Sequence, residues 1–394
     1  MGDLTNCPAD GAPVVTAQSH CYTVFEHLPQ QLMAQALVIS PRRIVISIPN
    51  WVGDVVMATP ALAAVRRGFP NTHITHLMRS YVADVLAGTK LADGTIFWPD
   101  KGNAAAPRGI ASLLRILRQG RFDLGILLTN SFRSAIVMKL GGVKRRVGYA
   151  RDGRSWLLTD RLRPQREDGS YIPVPALDYY NEIARSLGCE GVGDQMMLAT
   201  NQSDEDAVDR RLTQVRVGGP LVVLNPGANY GAAKCWPPEY YAQLADELGE
   251  RFGARVVASL SPKESWIAER LKAALRRPIE IFIDPPLGLG PLKALIRRCQ
   301  LLITNDTGPR HFAAAFGVPV VTIFGSSDPA WTDTRYPQER IVKLDLDCQP
   351  CMERTCPLKH HRCMKELMPA MVMEKIEEFL SPGSRPRIMR GARA

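Results

Sequence analysis

Leu221-Val222-Val223-Leu224-Asn225-Pro226-Gly227-Ala228-Asn229-Tyr230-Gly231-Ala232-Ala233-Lys234-Cys235-Trp236-Pro237-Pro238 is the stretch that decides the fold. It opens with four branched apolar residues, a run of strand length. A loop of Gly, Pro and small residues follows, and Pro238 suits the first turn of a helix that the pattern carries to Phe252. The unit then repeats. Strands are predicted at 221–225, 255–259, 280–283, 301–304 and 320–324, and helices at 238–252, 264–276, 292–299 and 309–316. Buried apolar strands alternating with helices imply a parallel sheet covered on both faces.

Upstream the same alternation occurs once more. Ile44-Val45-Ile46-Ser47-Ile48 reads as a strand, Pro49 to Asp54 as a loop and 55–67 as a helix. Strands follow at 73–78, 95–98 and 124–128, with helices at 109–118 and 132–140. The fold class is therefore α/β, with two facing Rossmann-like domains and a cleft between them. Residues 1–41, interrupted by prolines, read as an N-terminal extension. Residues 42–215 form the first domain, whose irregular part from 160 serves as a linker, and 216–345 form the second. A Cys/His-rich segment spans 346–367, a last helix 368–380, and a mobile basic tail 381–394.

The chain has 394 residues, long enough to bury a sizeable core without disulfide or metal staples. Apolar residues make up 45% and charged residues 22%, which excludes a disordered or collagen-like chain. No apolar run reaches the length of a membrane span. The N-terminus lacks the basic and apolar regions of a secretory signal, so a cytoplasmic protein is expected. The net charge is +10 and unevenly placed: residues 42–166 carry 21 Lys and Arg against 7 Asp and Glu. Such a bias suggests an anionic partner for the first domain. Nucleic acid is not that partner, because aromatic residues are not interleaved with the basic ones at Arg115-x-x-Arg118-x-x-Arg121 or Lys144-Arg145-Arg146.

Three loops carry the candidate chemistry, each after a strand where ligands of such sheets sit. The first is Asn50-Trp51-Val52-Gly53-Asp54, with Asp54 either a helix cap or a functional carboxylate. The second is the 225–237 loop, where Lys234 is either a phosphate-binding charge or a solvated side chain. The third is Asn305-Asp306-Thr307-Gly308-Pro309-Arg310-His311, at a helix start that favours anions. Separately, Cys348, Cys351, Cys356 and Cys363, with His360 and His361 between them, have the density of metal ligands. A structural zinc, a pair of disulfides and free thiols all fit that spacing.

Asn-Trp-Val-Gly-Asp after the first strand, Pro-Gly-Ala-x-Tyr-Gly-x-Ala-Lys-x-Trp-Pro in the middle, and Asn-Asp-Thr-Gly-x-x-His-x-Ala-Ala-Ala resemble glycosyltransferase family 9, over about Arg42 to Leu380. The resemblance implies a GT-B fold, with the acceptor on the first domain and a sugar nucleotide on the second. It implies ADP-heptose as donor and the inner core of a lipid A-core acceptor, whose phosphates and Kdo carboxylates match the basic first domain. The enzyme would be cytoplasmic, peripheral at the anionic inner-membrane surface, inverting, and in need of no cofactor. Asp54 matches the family's general base. Lys234 matches the lysine on the donor diphosphate, and Asp306 an aspartate on the donor sugar. Thr307, Gly308 and His311 surround the diphosphate, Asn229 and Tyr230 hold phosphate-loop positions, and Glu264 falls where the ribose binds. Asn50, Trp51, Gly53 and Gly227 shape the loops. Cys235 and the pair Pro309-Arg310 depart from the family's pattern. Asp345-Leu346-Asp347 offers a metal-binding pair in an unexpected place, after the last predicted strand.

Overall fold

The computed structural model describes residues 40–213 and 218–381. The expected N-terminal extension and basic tail lie outside the described residues, apart from residues 40, 41 and 381. Two six-stranded sheets dominate. The first holds β1 (Arg43–Ser47), β2 (His73–Met78), β3 (Gly94–Phe97), β4 (Leu124–Leu127), β5 (Arg145–Tyr149) and β6 (Asp160–Leu162), in the order β3-β2-β1-β4-β5-β6. A short hairpin follows, β7 (Arg166–Glu167) with β8 (Ser170–Tyr171). The second sheet holds β9 (Leu221–Asn225), β10 (Arg255–Ser259), β11 (Glu280–Phe282), β12 (Leu301–Asn305), β13 (Val320–Ile323) and β14 (Glu339–Val342), in the order β11-β10-β9-β12-β13-β14. All pairs within the two sheets are parallel, and the two orders are the same. This is the GT-B architecture. In each sheet the order reverses between the first strand and the fourth, which leaves a crevice at their carboxyl ends.

The registers explain the apolar runs. Ile44 lies between Ile74 and Leu124, and Val223 between Val257 and Leu302. Central strands covered on both faces admit almost no polar side chain.

The helices used below are α1 (Val52–Met57), α2 (Thr59–Gly68), α3 (Ile110–Gly120), α4 (Phe132–Leu140), α5 (Ala176–Ser186), α6 (Gln202–Leu212), α7 (Pro238–Phe252), α8 (Ser265–Ala274), α9 (Leu289–Arg298), α10 (Gly308–Phe316) and α11 (Pro369–Glu377). The single helix expected at 55–67 is two. The chain turns at Ala58, and Pro60, which has no N–H to donate, falls in the first turn of α2. The region expected to be an irregular linker holds two eleven-residue helices, α5 and α6.

Strands β5 and β6 also escape the apolar pattern, because charged pairs join the edge strand β6 to its neighbour β5. Arg145 donates to both carboxylate oxygens of Asp160, at 2.7 and 2.6 Å. Arg146 donates to the carbonyls of Leu157 and Val143, each at 2.6 Å. These two arginines serve the fold, whereas Arg115, Arg118, Arg121 and Lys144 are exposed.

One apolar cluster runs from the first sheet through α1, α2 and α5 into α9 and α10 of the second domain. Polar clasps flank it. Arg297 and Arg298 of α9 pair with Glu205 of α6 at 3.0 and 2.5 Å. Lys293 of α9 is fully buried and donates to the carbonyls of Val85, Ala87 and Ala199 at 3.1, 3.2 and 2.8 Å. It thus ties the second domain to backbone of the first. Burial pushes its ammonium down to about 8 from an ordinary 10.5. The folded state therefore holds this proton less tightly than the unfolded chain, so stability attributable to Lys293 rises between pH 8 and 10.5. In Lys293→Met, denaturant titrations should lack that rise, and the variant should be less stable at neutral pH because three buried carbonyls lose their donor. Identical pH dependence in the two proteins would contradict the clasp.

Candidate active site

The first half of the site follows β1. Trp51 has extended backbone and occupies the capping position of α1, so Asp54 lies inside the first turn and is not the cap. The Asp54 carboxylate accepts a hydrogen bond from the Tyr180 hydroxyl of α5 at 2.8 Å. Burial raises the Asp54 pKa. The Tyr180 bond and its own backbone N–H oppose that rise, as does Lys234, while Asp306 adds to it. The net result is a carboxyl held above its ordinary value. Tyr180 itself is held protonated, raised well above 10.0 by burial and by the Asp54 charge.

The second half gathers the loops after β9 and β12. Lys234 forms a short ion pair with Asp306 and also donates to the Asp306 carbonyl at 3.3 Å. Asp306 accepts further from Ser327 at 2.7 Å and from Arg310 at 3.5 Å. Arg310, 1% exposed, is clamped by the Glu339 carboxylate and by Thr332 at 2.8 Å. Burial alone would push Asp306 up, but Lys234 and Arg310 outweigh it and hold the carboxyl below its ordinary value. Thr307 caps α10 with extended backbone, and its hydroxyl meets Asn225 at 3.3 Å and Thr304 at 3.2 Å. At the start of α10 Pro309 carries no N–H and the Arg310 N–H donates to the Thr307 carbonyl at 3.2 Å, which leaves the Gly308 N–H without a helical partner.

The remaining expected residues surround this core. Tyr230 donates to the Met352 carbonyl at 2.7 Å, and Lys234 lies over its ring at 4.8 Å. Asn229 is exposed on the same loop. Glu264 closes a capping box with Ser261, whose N–H and hydroxyl both donate to it at 2.8 Å. Its other carboxylate oxygen lies against Gly227, where a Cβ would come within 2.1 Å of it. Glu264 is thus at the rim of the loop, and only glycine fits at 227.

The halves meet through two glycines. A Cβ on Gly53 would come within 2.7 Å of the His311 ring, and one on Gly308 within 2.6 Å of Val52. Helices α1 and α10 therefore start in direct contact, which brings Asp54 within the electrostatic reach of Lys234 and Asp306. His311 is 3% exposed, and burial together with Arg310 pushes its pKa down to about 3. The ring is therefore neutral at physiological pH in the free protein. Its Nδ1 is buried with no hydrogen-bond partner among the described residues.

Cys348, Cys351, Cys356 and Cys363 are thiols, and with His360 and His361 they line one small cavity. Among the described residues no three such side chains are arranged to hold a metal ion. The segment nonetheless braces the Lys234 loop. The Arg354 carbonyl accepts from Ala233 N–H at 3.0 Å, and His361 Nε2 lies 3.1 Å from the Ala233 carbonyl. Asp345 and Asp347 are exposed beyond β14.

Tyr180, Ser327 and Glu339 belong to the site and were not foreseen; Arg310 was quoted but given no role. Tyr180 sits in the stretch taken for linker, where the helical spacing of Leu177, Tyr180, Ile183 and Ala184 was the available signal.

Residues 110–362 match the model of glycosyltransferase family 9 (heptosyltransferase), more than half of the chain. Lipooligosaccharide heptosyltransferase 2 of Campylobacter jejuni is 28% identical over 342 residues, covering 86% of this chain and 100% of its own. Lipopolysaccharide heptosyltransferase 2 of Escherichia coli is 26% identical over 347 residues, covering 86% and 98%. The solved structure of E. coli ADP-heptose LPS heptosyltransferase II superposes with a TM-score of 0.70 at 22% identity, over 86% of this chain and 98% of that one. With its motifs, sheet order and paired loops all in agreement, this chain belongs to glycosyltransferase family 9, the heptosyltransferase family.

Proposed function

We propose that this protein transfers heptose from ADP-heptose to the heptose/Kdo inner core of a lipid A-core acceptor, with inversion at the anomeric carbon. One observation carries the reading: a half-buried carboxyl of raised pKa on the first domain lies within electrostatic reach of a Lys–Asp pair beside a helix start on the second. The relatives, heptosyltransferases of lipopolysaccharide and lipooligosaccharide, support the choice of sugar and acceptor.

Asp54 takes the proton of an acceptor hydroxyl, whose oxygen attacks the anomeric carbon from the face opposite the diphosphate. The bond to ADP breaks and charge builds on the leaving diphosphate. Lys234 and the Gly308 N–H at the positive end of α10 offset that charge, in a site already organised before reaction. Asp306 is left to Arg310 and Ser327 and is free to accept from sugar hydroxyls. Neutral His311 presents one ring nitrogen for a hydrogen bond and adds no charge. Asn229, Tyr230, Thr307 and Glu264 line the nucleotide side. The positive groups suffice without a divalent metal; Cys348, Cys351, Cys356 and Cys363 serve the shape of the donor loop, with zinc as a structural option. The protein acts from the cytoplasm at the inner membrane, drawn there by its basic first domain.

A transfer assay with ADP-heptose and a heptose-deficient core acceptor tests this directly. Asp54→Asn keeps the shape and removes the base, so it should lose about 100- to 10,000-fold in turnover with donor affinity nearly unchanged. Turnover within about tenfold of wild type would leave Asp54 without a catalytic role. Lys234→Ala should weaken donor binding and slow transfer together, since it meets the diphosphate before and during departure. Unchanged affinity and rate would remove Lys234 from the site. Tyr180→Phe deletes a hydrogen bond that favours the Asp54 carboxylate. The acid limb of its kcat/KM profile should therefore move to higher pH, and a profile superimposable on wild type would contradict the Tyr180–Asp54 link.

A further inference from the structure

We propose that the outward face of α4, together with Trp156, is the surface by which this protein docks on an anionic lipid leaflet. The inference rests on the lipid-borne acceptor proposed above. Helix α4 starts where β4 ends, capped by Ser131, whose hydroxyl accepts from Ser134 N–H at 3.2 Å. Ser134, Ala135, Val137 and Met138 turn inward and are buried. Phe132 and Leu140, eight residues apart, share a helix face that points out, with half-buried Ile136 between them packed against the core. Phe132 is 41% exposed and Leu140 50%. Trp156, 58% exposed, joins them with its ring centroid 6.1 Å from that of Phe132. A helix that is apolar on both sides belongs in an interior, yet this one lies at the protein surface. A contiguous apolar patch of this kind marks an interaction site.

The charges around the patch identify the partner. Lys139 Nζ sits 4.7 Å from the centroid of the Trp156 ring, and exposed Arg133 5.4 Å from that of Trp98. Arg118 donates to the Leu140 carbonyl at 3.0 Å, which places its guanidinium at the far end of the same face. Aromatic and aliphatic side chains ringed by Lys and Arg match the boundary between headgroups and acyl chains. Juxtamembrane cations there add attraction to acidic lipids. An interface with another protein copy would instead be depleted in lysine.

The position suits the reaction. Thr129, just before α4, is bonded to Ser47 of β1 at 2.9 Å. Asn130 accepts from Tyr179 at 2.9 Å, and the next residue, Tyr180, holds Asp54. A leaflet resting on α4 would present its glycolipid headgroups beside the base. No described helix is long and apolar enough to cross a membrane, so a surface contact must do this work.

The test compares wild type with Phe132→Ser/Leu140→Ser/Trp156→Ser in sedimentation with phosphatidylethanolamine/phosphatidylglycerol vesicles and with phosphatidylcholine vesicles. Wild type should partition onto the anionic vesicles, and the triple variant should lose about tenfold or more of that partition. Transfer to a lipid-free core oligosaccharide should stay within about twofold, while transfer to acceptor embedded in vesicles falls with the binding. If the triple variant unfolds earlier on heating, Trp156→Ser alone, at the most exposed position, should still lose binding about threefold. Equal vesicle binding by wild type and variants would overturn the proposal, as would no binding by wild type. So would a wild-type dimer, seen by light scattering, that the triple variant abolishes, because the occupant would then be a second copy. Failure of wild type to use the lipid-free acceptor would count against heptose transfer, and the vesicle result would still decide the docking face.

Discussion

Helices α1 and α10 start against one another, and the rest of the site depends on that contact. Gly53 and Gly308 each leave room for a side chain from the opposite domain, His311 in one case and Val52 in the other. A methyl group at either position would force apart two packed helices, a change that typically costs 1–3 kcal/mol in a well-packed region, on the order of much of a domain's margin. Because the helices touch, His311 is buried at the junction and Asp54 half-buried beside it. The raised carboxyl of Asp54 and the lowered imidazole of His311 are both consequences of that burial. The contact thus determines geometry and protonation together.

The second domain meets this junction with its charges already organised. Lys234, Asp306, Arg310 and Glu339 form a nearly buried chain of alternating sign. Removing one member of such a chain typically costs about 3–5 kcal/mol, because its partner is left buried and unpaired. The chain is longer than a Lys–Asp pair needs to be, and the extra length has a use. A diphosphate that takes Lys234 leaves Asp306 still held by Arg310 and Ser327, so the carboxylate stays ionised and fixed. Glu339 supplies the charge that compensates Arg310 from the edge strand β14.

Much of this was legible in the sequence. The central strands of both sheets are buried on two faces, so their apolar runs mark them, and β2, β9 and β10 fall where the pattern places them. The glycine-containing loops that follow them locate Asp54, Lys234 and Asp306, since ligand loops of such sheets have fixed positions. The outer strands β5, β6 and β14 were invisible because strands at or next to a sheet edge carry charges, and pairs such as Arg145–Asp160 exist only across the sheet. Helix α5 was missed because prolines and charges surround it, and with it went Tyr180, whose role depends on a contact 126 residues away in the chain. The neutrality of His311 could not be read either, since it follows from a domain contact and not from neighbours in sequence.

The central claim is that one base from the first domain and one cation from the second act on opposite faces of the same sugar carbon. A crystal structure with an unreactive ADP-heptose analogue tests it most directly. The account predicts Lys234 and the start of α10 on the diphosphate, Asp306 on the sugar hydroxyls, and Asp54 facing the anomeric carbon from the side away from ADP, with room for one acceptor hydroxyl between them. An analogue bound with Asp54 on the diphosphate side of that carbon, or with Lys234 still paired to Asp306 and away from the phosphates, would contradict it.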